Sequence, residues 1–127
     1  MATFDAVAAN TGVSGGRSEP VDYAHLARYT FGNKALELEV LTLFAEQAPD
    51  YLTAMREARS EKEWRDAAHT LKGSARAVGA LRVAEFAEYA EALRNAPQGG
   101  ARQAVLARLA EALDEATDHI ARIGRAR

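Results

Sequence analysis

The sequence predicts an all-α fold, an antiparallel up-down four-helix bundle with a short extra helix in front of it. Three observations support this prediction. Apolar residues recur at three- and four-residue spacing in several successive segments, which is the period of one helix face. Alanine and leucine dominate while valine and isoleucine are sparse, and this composition favours helices over sheets. No alternating strand pattern of useful length and no internal repeat is present.

The first predicted helix is short and runs from Asp22 to about Tyr29. Asp22 is a suitable N-cap because its carboxylate can accept a hydrogen bond from a backbone N–H of the first turn. Leu26 and Tyr29 would be its buried residues. Residues 1–20 carry no regular pattern and are rich in glycine and serine, so we expect a flexible N-terminal segment there and a bundle domain over 21–127.

A longer helix follows a break at residues 31–33, with Asn33 as its N-cap. Its expected buried residues are Leu36, Val40, Leu43, Phe44, Gln47, Tyr51 and Met55. Pro49 falls inside this pattern. It lacks an N–H and crowds the preceding turn, so we expect it to kink the helix or to divide it near Ala48.

The third helix begins at a capping box, with Ser60 at the cap and Glu63 three residues later. Gly79 can end it in a left-handed turn. Its apolar stripe is Trp64, Ala68, Leu71, Ala75 and Val78, which places Trp64 in the core rather than on a partner surface.

Two further helices are predicted, from about Leu81 to Asn95 and from about Ala101 to Ile123, joined by a linker at residues 97–100. Their expected inward residues are Val83, Phe86, Ala87, Ala90 and Leu93, and then Val105, Leu106, Leu109, Leu113, Ala116, Ile120 and Ile123. All the predicted apolar stripes can be buried within one bundle, and none is left to bind a second chain. We therefore expect a monomer.

Composition limits the functional classes. The chain has 127 residues, a formal net charge of −2 and no cysteine. The charge gives no support for binding nucleic acid, and the absence of cysteine excludes disulfides and thiolate chemistry. No apolar run approaches the roughly 20 residues that span a bilayer, and no secretory signal is visible. We therefore expect no membrane association and a cytoplasmic location.

His69 is the strongest candidate for chemistry. Residues three and four apart share a helix face, so Arg65, Lys72, Gly73 and Arg76 lie beside it at the edge of the apolar stripe. A glycine inside a helix lowers its stability by roughly 1 kcal/mol relative to alanine. The glycine at position 73 therefore indicates that the absence of a side chain next to the imidazole is useful. Neutral imidazole is a competent nucleophile near physiological pH. His25 and His119, by contrast, are expected to be ordinary surface residues.

The segment around His69 resembles the signature of histidine-containing phosphotransfer (HPt) domains. The matching residues are His69, Leu71, Lys72, Gly73, Ser74, Ala75, Gly79 and Ala80, with weaker similarity at Val83, Phe86, Ala90 and Glu91 and upstream at Val21, Asp22, Leu26, Phe44 and Pro49. The resemblance implies a four-helix bundle in which His69 is the phosphoacceptor, Lys72 gives electrostatic support and Gly73 lies at the docking face. Arg65, Ser74, Arg76 and Ala77 are the further candidate partner-binding residues.

The same resemblance implies a phosphorelay intermediate of two-component signal transduction. It would accept a phosphoryl group from the aspartate of a response-regulator receiver domain and pass it to another receiver, with a hybrid sensor kinase as a further candidate partner. The chain itself would bind no cofactor, because Mg²⁺ would come from the receiver. No phosphate-binding loop is present, so no ATP-dependent kinase activity of its own is expected.

Two other hypotheses remain at this point. The chain could be a helical adaptor that binds and regulates a receiver or sensor kinase without being phosphorylated. It could also be a phosphoacceptor module of a larger sensor kinase of the chemotaxis type. The intact His-x-x-Lys-Gly sequence at 69–73 argues against the adaptor.

Overall fold

Five helices make up the part of the chain that the computed structural model describes, residues 20–93 and 100–126. They are α1 (Tyr23–Thr30), α2 (Lys34–Arg56), α3 (Glu61–Val78), α4 (Leu81–Ala92) and α5 (Gly100–Ala126). The described residues contain no strand. Residues 1–19, 94–99 and 127 lie outside the described part, and with them the predicted flexible segment up to residue 19 and most of the predicted linker.

The last four helices form the bundle. Helix α3 packs against α2 and α4, and α5 packs against the same two helices on the other side. The loops at residues 57–60 and 79–80 are short, so α2, α3 and α4 run antiparallel in turn. The short α1 packs on α2 and α3. The predicted all-α bundle with an extra helix in front is confirmed.

Side-chain caps mark the starts of α1, α2 and α3. Asp22, Asn33 and Ser60 each accept a hydrogen bond from the backbone N–H three residues further on, at 3.0–3.1 Å. These are the three predicted N-caps. The capping box departs from its usual form at one atom, because the Glu63 carboxylate accepts from the N–H of Arg59 rather than from that of Ser60.

The buried face of α2 differs from the prediction. Leu36 and Leu43 are 37% and 52% exposed, although both were expected in the core. The residues that α2 buries are Glu37, Leu41, Phe44, Ala48, Leu52 and Met55. Apolar residues occupy two adjacent faces of this helix, so their spacing alone did not identify the face that meets the other helices. Val40 and Tyr51 are partly buried between the two faces, and Gln47 is exposed.

One expectation about the first helix was wrong, and one of the two outcomes expected at Pro49 does not occur. Tyr29 is 61% exposed, and Thr30 is the residue that α1 buries beside Leu26. The Thr30 hydroxyl donates to the Oε2 of the buried Glu37 carboxylate at 3.2 Å, so a polar contact joins the two buried side chains. Pro49 does not divide α2, which continues from Lys34 to Arg56.

His25 and His119 both join helices rather than being merely solvated. The Nε2 of His25 donates to the backbone carbonyl of Arg76 at 2.6 Å, which ties α1 to the end of α3. The Nε2 of His119 lies 2.6 Å from the hydroxyl of Tyr23, which ties α5 to α1. Both imidazoles are partly buried, so their roles in this structure are in packing.

Gly79 ends α3 in the left-handed conformation, with φ of 81°. The backbone N–H of Asp22 donates to its carbonyl at 2.8 Å, and a Cβ at position 79 would lie 2.6 Å from the Asp22 carbonyl oxygen. The turn therefore needs glycine for two reasons, its backbone angle and the close approach of a second chain segment.

Replacing Gly79 with alanine is expected to lower the free energy of unfolding by about 2–4 kcal/mol, as backbone strain and a backbone clash add together. Gly32 is the matched control, because its φ is 76° but no atom lies within 4 Å of an added Cβ. Gly32→Ala should cost about 1 kcal/mol from strain alone. Urea denaturation of the two variants measures both values, and equal losses would contradict the role assigned to the Asp22 contact.

Candidate functional site

His69 lies near the middle of α3 on its solvent side, and its side chain is 67% exposed. The opposite side of the helix supplies buried residues to the core, including Trp64, Ala68 and Leu71. Because the apolar stripe fixes which face of α3 turns inward, the imidazole is left accessible. The expectation of an accessible ring at the edge of the stripe is confirmed by this geometry.

Trp64 sets the register of α3 against α4. Its indole Nε1 donates to the carbonyl of Ala90 at 2.8 Å, and the indole is 2% exposed. The guanidinium of Arg102 from α5 lies over the ring at 4.4 Å. The residue after Ala90 is Glu91, so the contact that holds the two helices also brings the Glu91 carboxylate to the height of His69.

The Glu91 carboxylate joins the two central residues of the motif. Its Oε2 lies 2.8 Å from the Nδ1 of His69, and its Oε1 lies 2.5 Å from the Nζ of Lys72. An ionised carboxylate only accepts hydrogen bonds, so Nδ1 carries the proton and the Nε2 of neutral His69 has the free lone pair. This partner assignment fixes the tautomer that a nucleophilic imidazole needs.

Lys72 stabilises the ionised form of Glu91. Its hydrogen bond is the largest cause that holds the pKa of the Glu91 carboxyl below the ordinary value of 4.5, and the bond from His69 acts in the same direction against the cost of burial. On the exposed side of α3, a hydrogen bond from Lys62 lowers the pKa of Asp66 in the same way. Both carboxylates near His69 are therefore ionised at neutral pH.

The lowered pKa of Glu91 predicts a pH-dependent contribution to stability. A carboxyl whose pKa is lower in the folded than in the unfolded state stabilises the fold above its unfolded pKa, and this contribution is lost as the pH falls through the folded value. The unfolding free energies of wild type and Glu91→Gln should therefore differ by about 1 kcal/mol at neutral pH. The difference should shrink as the pH drops below 4.5.

Urea denaturation across this pH range measures the difference. Glu111→Gln is the control, since the Glu111 carboxylate makes only a 4.0 Å ion pair with Arg108 on an exposed face. A gap between wild type and Glu91→Gln that stays constant down to acidic pH would show that the ionised carboxylate is not what stabilises the site.

Lys72 is not a free cation on the surface of α3. Its side chain is only 15% exposed and its ammonium group is bonded to Glu91. Lys72 therefore acts on His69 indirectly, through the Glu91 carboxylate to which both side chains are bonded. Arg76, on the same side of α3, is paired with Glu88 of α4 at 3.1 Å.

Of the remaining predicted partner-binding residues, Ser74 and Ala77 face α2, Gly73 lies one turn after His69, and Arg65, one turn before it, is partly buried. Gly73 has no atom within 4 Å of the position of an added Cβ, so the surface beside the imidazole is open. Ser74 and Ala77 line a shallow groove between α2 and α3. Its other lining residues are Val40, Leu43, Phe44, Gln47, Ala48, Tyr51 and Val78.

Sequence reasoning did not identify Glu91 as part of the site. A usable signal existed, because residues equally far from the turn of an antiparallel helix pair lie at the same height. His69 is eleven residues before Ala80 and Glu91 is eleven residues after it.

The family model of the Hpt domain matches residues 39–124 of this chain. The chain belongs to the Hpt domain family. The match begins inside α2 and ends inside α5, so it contains His69, Lys72, Gly73 and Glu91 and leaves α1 outside. Comparisons with curated proteins and with solved structures found no match.

Hpt domains are phosphotransfer modules of two-component systems and not kinases, and they interact with receiver domains. Two further findings concern metal binding and membrane spans in the described residues. No group of three or more histidine, aspartate or glutamate side chains there could hold a metal ion. Among the described helices, none combines the length and the hydrophobicity that spanning a lipid bilayer requires.

Proposed function

We propose that this Hpt domain is a phosphorelay intermediate that accepts a phosphoryl group on the Nε2 of His69 from a receiver aspartate and passes it to a second receiver. The observation that supports this most strongly is the state of the imidazole. Its Nδ1–H is held by Glu91 while the ring remains 67% exposed. The nucleophilic nitrogen is thus oriented and accessible before any partner arrives.

The phosphoryl transfer step requires no proton transfer. The lone pair of Nε2 attacks the phosphorus of the aspartyl phosphate in line, the Nε2–P bond forms, and the P–O bond to the aspartate breaks. The electron pair of the broken P–O bond stays on the oxygen of the aspartate, which leaves as a carboxylate. His69 becomes a phosphoimidazolium whose Nδ1–H faces the negative Glu91, so the positive charge on the ring is stabilised where it develops.

The surface around His69 suits a large partner. Gly73 leaves open space one turn after His69, and Ser74, Ala77, Leu43 and Gln47 help to line a shallow groove between α2 and α3. A receiver that docks on this side can bring its acidic pocket over the imidazole, because no side chain projects from position 73. The Mg²⁺ that the reaction needs would be held by the receiver, and a cytoplasmic location is part of the proposal because the phosphoryl groups of such relays derive from ATP.

The proposal is tested by mixing the protein with a ³²P-phosphorylated receiver and Mg²⁺, and then adding a second, unphosphorylated receiver. The expected result is label on this chain that is labile in acid and stable in base, followed by its appearance on the second receiver. A stable complex with the receiver but no label would contradict the relay and favour the non-phosphorylated adaptor.

A further inference from the structure

Helix α3 carries four cations around His69, and three of them are already paired with carboxylates. The ammonium of Lys62 is 2.6 Å from Asp66, that of Lys72 is bonded to Glu91, and the guanidinium of Arg76 is bonded to Glu88. Arg65 is the fourth. No carboxylate within residues 20–93 and 100–126 forms an ion pair with it.

The position of Arg65 relative to His69 favours contact with a group on the imidazole. It lies four residues before His69, and side chains at this spacing are neighbours on a helix surface. Side chains in a helix tend to lean toward its N-terminus, and this tendency favours an approach of the imidazole to the turn that carries Arg65. Lys72 lies on the other side, one turn toward the C-terminus.

Phosphorylation changes the charge that this surface must accommodate. A phosphoryl group at neutral pH brings a charge of about −2 close to the carboxylates of Glu91 and Asp66. The charge of Lys72 is compensated by Glu91, so it offers little net attraction. A guanidinium can bind two phosphoryl oxygens at once through its planar array of N–H donors.

We propose that Arg65 binds the phosphoryl group on the Nε2 of His69, while Lys72 holds Glu91 in place. This inference rests on the proposed function. Arg65 is then the residue that stabilises the phosphorylated form, and the lysine of the motif acts on the imidazole indirectly, through the carboxylate that orients it.

The equilibrium of phosphotransfer with a receiver tests the inference. The equilibrium constant compares free phosphorylated and free unphosphorylated proteins, so changes in docking affinity cancel from it. Arg65→Gln should shift the equilibrium about tenfold toward the phosphorylated receiver, as expected for the loss of one charge-assisted contact of about 1.4 kcal/mol. Arg65→Lys should recover part of the shift.

A ³¹P NMR titration of the phosphorylated protein gives a second readout that a purely structural residue would not move. Loss of Arg65 should raise the pKa of the phosphoryl group, because the guanidinium stabilises its dianion. Arg122→Gln, which removes the same charge from an ion pair with Asp118 on α5, should leave both readouts at their wild-type values.

The outcomes separate this inference from the proposed function. Label on wild-type His69, with the same equilibrium and the same phosphoryl pKa in Arg65→Gln, would overturn the role of Arg65 and leave the relay intact. Absence of label on wild type with any phosphorylated receiver, while phosphoramidate still labels His69, would instead contradict the relay.

Discussion

Substitution of His69 by glutamine is expected to abolish phosphoryl acceptance from a receiver, with at least a hundredfold loss of label, and to leave the helical fold intact. Glutamine has no nitrogen lone pair that can attack phosphorus. The side chain it replaces is 67% exposed, so the unfolding free energy should change by less than about 1 kcal/mol. Labelling with a phosphorylated receiver and circular dichroism measure the two effects.

The other two histidines provide matched controls for this prediction. His25→Gln and His119→Gln remove imidazoles that bond to the Arg76 carbonyl and to the Tyr23 hydroxyl, away from the Nε2 of His69. Both variants should accept phosphate, with a modest loss of stability from the broken contacts. Label on His69→Gln equal to that on wild type would show that the acceptor is another residue.

Substitution of Gly73 by glutamate is expected to weaken receiver docking by at least about thirtyfold, which corresponds to the 2 kcal/mol or more of a central interface position. No atom lies within 4 Å of an added Cβ in the isolated domain, so the new side chain fits the free protein and projects into the space that a receiver would occupy. The thermal stability should be equal to or above that of wild type, because a glycine inside a helix is replaced by a better helix former.

Gly100→Glu is the control for Gly73→Glu. It also places a carboxylate at a helical glycine with open space around the added Cβ, but at the start of α5. Isothermal titration of each variant with a receiver measures the affinities. Equal affinity of Gly73→Glu and wild type would indicate that the partner approaches a different face of the bundle.

Features that depend on a few neighbouring residues were predictable from the sequence. The caps at Asp22, Asn33 and Ser60 and the left-handed end at Gly79 depend on side chains or backbone angles within one turn. The exposure of His69 followed from the apolar stripe of α3, which has only one wide face. These local features together were sufficient to predict the fold class.

Features that depend on which helices meet were harder to predict. Helix α2 carries apolar side chains on two faces, and only its packing against α3 and α5 decides that Leu41 is buried while Leu43 is exposed. The partner of His69 comes from α4, so the role of Glu91 depends on the register that Trp64 and Ala90 set between two helices. The low exposure of Lys72 has the same origin, because only that register brings a carboxylate within its reach.

The most direct test of the account is to find which nitrogen carries the phosphate in protein labelled with ¹⁵N-histidine. Long-range ¹H–¹⁵N correlation spectra distinguish the two ring nitrogens of each histidine before and after phosphorylation by a receiver. Phosphate is expected on the Nε2 of His69, with Nδ1 still protonated and bonded to Glu91. Phosphate on Nδ1, or on a residue other than His69, would contradict it.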